Sequence, residues 1–183
     1  MSKTFKFTPA NEKLAKQHLA KYPANRQQSA VMPLLDVAQR QNNNWLSKEA
    51  IEYVANYLDM PVIRVYEVAT FYTMYNLQPV GEHMIEVCTT TPCWLRGSAD
   101  IVNTCKNKLG IEVGQTTKDG KFTLKEAECL GACVNAPMLQ IGDYYYEDLT
   151  PQSTEKLIDD LAAGKKPKPA SQIGRKCSAP KVA

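Results

Sequence analysis

Apolar positions change their spacing partway along the chain: a helical repeat from about residue 8 to 76 gives way to short alternating runs from about 83. Thr8-Pro9 forms a helix start, with proline at the first helical position and Leu14, Ala15, His18 and Leu19 following at helical spacing. A second helix is expected over 26–41, with Ala30, Val31, Leu34, Leu35 and Ala38 on one face. Pro33 lies inside it, so this helix either begins near Ser29 or bends. Asn42-Asn43-Asn44 makes a polar turn, and Ser47 caps a third helix whose stripe is Ile51, Val54, Ala55 and Leu58. Pro61 opens a fourth, running to about Tyr75. Its Val62, Ile63, Val65, Tyr66, Val68, Ala69, Phe71, Tyr72 and Met74 occupy nearly every side. A helix apolar all round must be covered all round, either inside the helical bundle or by another protein.

After residue 83 the elements shorten. His83 to Val87 alternates as a strand ending at Cys88, and 94–109 reads as a helix closed by Gly110. A hairpin-like turn over 118–121 precedes Phe122-Thr-Leu124. Met138 to Ile141 and Tyr144 to Tyr146 form a pair across Gly142-Asp143, and a capped helix over about 151–163 completes the series. The order strand, helix, strand, hairpin, helix predicts an α/β protein: an N-terminal helical bundle over 1–80, then a thioredoxin-like domain over 81–164. Residues 165–183 form a basic tail. Both cysteine pairs then fall in loops at one end of the sheet, where functional groups commonly sit.

Composition narrows the class. The 183 residues are 44% hydrophobic and 22% charged, as in a soluble domain with a core. No 18-residue apolar run is present, so no membrane span is expected, and the N-terminus has no signal-peptide core. A reducing compartment is expected. The net charge of +3 is uneven: Lys165, Lys166, Lys168, Arg175, Lys176 and Lys181 face no acidic residue in the tail. Without them, 16 basic groups stand against 19 acidic, about −3 over 1–164. The tail reads as a solvated arm or one lying along a partner protein, and nucleic-acid binding is not expected. The chain has no G-x-G-x-x-G or G-x4-G-K-[ST] loop, hence no evident nucleotide or flavin site, and no constellation suited to hydrolysis.

The chemistry rests on cysteine. Cys88-Thr-Thr-Thr-Pro-Cys93 and Cys129-Leu-Gly-Ala-Cys133 give C-x4-C, 35 residues, then C-x3-C. Disulfides fit poorly with a reducing compartment, and a dithiol redox centre would use C-x-x-C. Structural zinc favours C-x2-C knuckles, although zinc sites with longer loops exist. A [2Fe–2S] rhomb has two irons that take two thiolates each, which suits two separated pairs better. Gly131 allows an unusual backbone turn, and the threonine hydroxyls can donate to sulfur. No histidine lies near either pair, against Rieske-type ligation.

With Ser29-Ala-Val-Met-Pro-Leu-Leu, Val65-Tyr-Glu-Val-Ala-Thr-Phe-Tyr-Thr-Met and Glu128-Cys-Leu-Gly-Ala-Cys-Val-Asn-Ala-Pro-Met138, these pairs carry a resemblance over about 22–169. The chain resembles the small thioredoxin-like [2Fe–2S] subunit of the NADH-dehydrogenase module of respiratory complex I. The resemblance implies one [2Fe–2S] cluster on Cys88, Cys93, Cys129 and Cys133 and a thioredoxin-like fold with a docking bundle. It also implies single-electron exchange with FMN in a larger NADH-binding flavoprotein subunit, beside a neighbouring iron–sulfur subunit. The chain would then be part of an oxidoreductase without a complete active site of its own. Its expected location is the cytoplasmic face of a bacterial inner membrane, or the matrix side in a mitochondrion. The equivalent subunit of a soluble NAD-linked hydrogenase or formate dehydrogenase is the near alternative; a zinc-stabilised interaction module is the distant one. Cys105, in register with Ile101, Val102 and Leu109, reads as a small buried hydrophobe. Cys177 lies in the tail beside Arg175 and Lys176, whose charges would lower its pKa. Pro137 stands where thioredoxin-like folds often carry a cis proline.

Overall fold

The computed structural model describes residues 4–175. The chain divides into two compact units, Met1–Val80 and Gly81–Ala183.

In the first unit, α1 (Pro9–Leu19) starts where the Thr8 hydroxyl accepts the Asn11 N–H at 3.3 Å. A 3-10 turn over Gln27–Ala30 leads into α2 (Val31–Gln41). Pro33 therefore sits in the first turn of α2, where its missing N–H has no helical partner to lose, and this decides between the expected late start and a bend. α3 (Lys48–Tyr57) is capped by Ser47, whose hydroxyl accepts the Ala50 N–H at 3.2 Å. α4 (Val62–Phe71) stops short of Tyr75, because Tyr72 turns to extended backbone. Leu34, Leu35, Ile51, Val54 and Val65 form a fully buried centre. Phe5, Phe7, Tyr53 and Tyr57 add a set of mostly edge-on rings, with centroids 5.0–6.0 Å apart. Gln39 secures the segment after α4: its amide donates to the Met74 carbonyl at 3.0 Å and accepts the Asn76 N–H at 2.7 Å.

α4 is not enclosed by its own bundle. Val65 and Ala69 are buried, while Ile63 is 65% and Phe71 78% exposed, and Met74 just beyond is 48% exposed. Of the two ways of covering an all-apolar helix, burial inside the bundle is not the one the fold takes.

In the second unit, β1 (His83–Cys88) leads to α5 (Thr91–Leu95), α6 (Ser98–Leu109), β2 (Phe122–Ala127), β3 (Leu139–Ile141), β4 (Tyr144–Glu147), α7 (Pro151–Ala162) and β5 (Ala170–Ser171). The single helix expected over 94–109 is broken at Gly97, whose φ of 91° lies in the left-handed region that glycine tolerates. The sheet order is β2-β1-β3-β4-β5, with β1 parallel to β2, β3 antiparallel to both neighbours, and β5 parallel to β4. Ile85, Val87, Leu124 and Leu139 of the sheet share one core with Ile101 and Cys105 of α6 and Leu157 and Ile158 of α7. Thr150 and Ser153 cap α7 reciprocally.

Over its described part, the tail expected from residue 165 is not a solvated arm. Ala170 and Ser171 pair with Tyr146 and Glu147, and Arg175 reaches Asp148 at 2.7 Å. Among the described residues no helix is long and apolar enough to cross a membrane.

Candidate iron–sulfur centre

Register does the first work. β1 and β2 run parallel with Cys88 level with Ala127, so both strands release the chain at the same end of the sheet. Cys88 is the last residue of β1, and Cys129 follows the end of β2 by two residues. The Thr89 N–H extends the ladder to the Ala127 carbonyl at 3.2 Å, and the Cys88 N–H donates to the Met138 carbonyl at 3.2 Å. The chain then turns through Thr90 into α5, which carries Cys93 in its first turn.

Cys88 and Cys93 are buried in a small cluster with Ala136 and Met138. Leu130 and Ala132, from the loop between the other two cysteines, pack against that cluster, so the second pair lies over the first. The Tyr145 hydroxyl donates to the Leu130 carbonyl at 2.8 Å and holds the loop down. Gly131 takes φ +84°, which lets the loop turn back within three residues. Cys129 and Cys133 are exposed, with their sulfurs 3.5 Å apart. Cys133 opens a 3-10 turn, Cys133–Asn135, and the peptide that follows, Ala136-Pro137, is cis.

The sulfurs differ in environment. Burial pushes the Cys88 thiol up. The Thr90 hydroxyl (3.3 Å), the backbone N–H groups of Leu130 and Thr90, and Cys93 together outweigh burial and leave Cys88 below the usual thiol range. Burial, then the bond and charge of Cys88, push Cys93 up to about 12, against the opposing Met138 N–H. Cys133 is raised chiefly by its contact with Cys129. Thiolate ligands are favoured where positive metal charge compensates them, as iron would do between such pairs.

The arrangement passes a test of fit to a [2Fe–2S] group on donor chemistry alone. The donors are four soft sulfurs arranged as two pairs, and the loops supply backbone N–H groups aimed at sulfur. Among the described residues, no group of three or more Cys, His, Asp or Glu side chains is arranged to hold a metal ion as it stands, and the sulfurs form two pairs. Sequence reasoning had the four cysteines, the threonine donor and Gly131. It missed the Leu130 and Met138 amides, because a backbone donor has no residue-type signal. Cys105 lies elsewhere, fully buried in α6, where burial alone pushes it up to about 12. Cys177 lies outside the described residues, and Arg175, expected to lower its pKa, is bound to Asp148.

Comparison with known proteins agrees with this geometry. The family description thioredoxin-like [2Fe–2S] ferredoxin matches residues 15–162. An NADH-quinone oxidoreductase subunit of Rickettsia bellii (strain RML369-C) is 63% identical over 157 residues, covering 86% of this chain and 94% of the relative. NADH dehydrogenase [ubiquinone] flavoprotein 2, mitochondrial, of Dictyostelium discoideum is 53% identical over 174 residues, covering 95% of this chain and 70% of the relative. A crystal structure of NAD+-reducing [NiFe]-hydrogenase in the air-oxidized state superposes with a TM-score of 0.63 at 22% identity, over 71% of this chain and 23% of that one, a likeness of fold. Strand register, paired thiols and these relatives agree: the chain belongs to the thioredoxin-like [2Fe–2S] ferredoxin family, among its members that are subunits of NADH-quinone oxidoreductase.

Proposed function

We propose that Cys88, Cys93, Cys129 and Cys133 ligate the one [2Fe–2S] cluster of this electron-transfer subunit of NADH:quinone oxidoreductase. The observation that carries the assignment is the parallel β1–β2 register, which brings both cysteine pairs to one end of one sheet. When bound, the cluster supplies a place to hold one electron at a time. The buried pair, Cys88 and Cys93, keeps water from one side, and the exposed pair, Cys129 and Cys133, turns the other side outward. The Leu130, Thr90 and Met138 amides orient and stabilise thiolate charge, which tunes how readily an electron is accepted.

The electron source is an FMN- and NADH-binding flavoprotein subunit, with a second iron–sulfur subunit as neighbour. Ile63, Phe71 and Met74 at α4 give the bundle an uncovered apolar face for such a partner. Trp94, Leu95 and Val134, all exposed and close in sequence to Cys93 or Cys133, rim the cysteine end with further apolar surface. The subunit works peripheral to a membrane, on the cytoplasmic side in a bacterium. The hydrogenase alternative draws on a 22% identical structure that speaks to fold alone, whereas the respiratory relative stands at 63%.

Metal analysis and electron paramagnetic resonance test the assignment. The oxidised protein should be red-brown, and the reduced protein should give a rhombic [2Fe–2S] signal. Serine at any of the four cysteines should abolish or alter that signal. A colourless protein with stoichiometric zinc would sink the reading.

A further inference from the structure

A single guanidinium ties the segment after β5 to the turn that carries Cys133. Arg175 meets Asp148 twice, Nη2 to Oδ1 at 2.7 Å and Nε to Oδ2 at 3.3 Å. The same Nη2 lies 2.7 Å from Asn135 Oδ1 and within hydrogen-bond reach of the Val134 carbonyl. Val134 and Asn135 are the two residues that follow Cys133 in its 3-10 turn. Other fastenings converge there: the Asp148 N–H donates to the Asn135 carbonyl at 2.8 Å, and Asn135 Nδ2 donates to Glu147 Oε2 at 2.6 Å. Ser171 Oγ donates to Asp148 Oδ2 at 2.7 Å and accepts the Arg175 N–H at 2.9 Å.

Two features make this more than a surface ion pair. The Asp148 side chain is only 6% exposed, so without its cation a buried carboxylate is left uncompensated. Cys133 itself is exposed, whereas Cys88 and Cys93 are packed in the interior, so its position depends more on how the residues beside it are held. Bonds from its flank add to the packing of Leu130 and Ala132 in fastening the turn.

We propose that Arg175 is a positioning residue for the cluster: held by Asp148, its guanidinium braces Val134 and Asn135 and so fixes Cys133. This rests on the assignment of the four cysteines as ligands. Lysine would not substitute, because the guanidinium grips both Asp148 oxygens through two nitrogens, Nη2 and Nε, a two-point contact that fixes its orientation and that a single ammonium does not reproduce.

The test uses the full chain with its cluster, comparing wild type with Arg175→Gln, Arg175→Lys and the exposed control Lys166→Gln. Three quantities are read: bleaching rate under an iron chelator, the resonance line shape of the reduced protein, and labelling of the buried Cys105 thiol. Both Arg175 variants should lose the cluster about tenfold faster, the scale on which outer-shell partners of metal ligands act, with a changed line shape. The control should match wild type, and Cys105 should stay unlabelled in all. Wild-type bleaching and line shape in Arg175→Gln would overturn the proposal, as would a lysine variant indistinguishable from wild type. Labelling of Cys105 in step with cluster loss would also overturn it, since general loosening would then be the cause. Should Arg175→Gln fail to fold, Asn135→Ala takes its place under the same criteria. A wild-type protein with no [2Fe–2S] signal, or an unaltered signal in Cys133→Ser, marks the separate failure of the ligand assignment.

Discussion

Side chains in the two interiors differ in what their loss would do. Leu35 is fully buried in the helical unit, and Leu35→Ala should cost about 2–5 kcal/mol in urea unfolding while leaving the cluster signal intact. Cys105→Ser would bury a hydroxyl where a thiol now packs, at about 1–3 kcal/mol, again without touching the cluster. The sulfur of Cys105 is thus kept for packing, as helical register alone implied. Tyr57 donates to Glu12 at 3.0 Å, and burial, then this bond, raise its pKa from 10.0 to about 12. The folded state therefore holds the proton more tightly than the unfolded one. The stabilisation is fully present below pH 10 and declines as pH rises towards 12. Denaturation at pH 8 and 11 should show a smaller loss of stability in Tyr57→Phe than in wild type, the remainder coming from other groups that burial raises, such as Cys105.

Elements carry the site through backbone geometry. A Cβ added at Gly81 would lie 2.7 Å from the Phe122 backbone, at the start of the β1–β2 pairing, and the Gly81 N–H donates to Thr123 Oγ1 at 2.6 Å. Gly81→Ala should disturb the register that brings Cys88 level with Ala127. It should therefore lower both thermal stability and cluster retention, measured by unfolding and by iron content. Helix starts were legible because Thr8, Ser47 and Thr150 are caps with local bonds. The break at Gly97 was not legible, since a glycine within an apolar periodic stretch reads equally as tolerated or as a stop. The extent of α4 was misjudged for a related reason: apolar periodicity continues past Phe71, but the backbone turns extended at Tyr72.

For the whole molecule, the proposed docking role of the helical unit is tested at Phe71 and Tyr72, both exposed. Phe71→Asp with Tyr72→Asp should abolish co-purification of the flavoprotein subunit while circular dichroism and the cluster signal stay unchanged. Retention of the partner by that variant would refute the docking role of α4. The donor pattern of the proposed centre is readable in one dimension: four cysteines in two pairs, with a glycine between the second pair. Helical periodicity followed by alternation also marked the change of architecture near residue 80, because burial on one face imposes its own period. Tertiary structure alone decided which pair is buried, which backbone amides meet sulfur, and that a basic tail residue closes on Asp148. Those relations join residues far apart in sequence through strand register and packing, and neither residue type nor local spacing encodes where two distant backbones will meet.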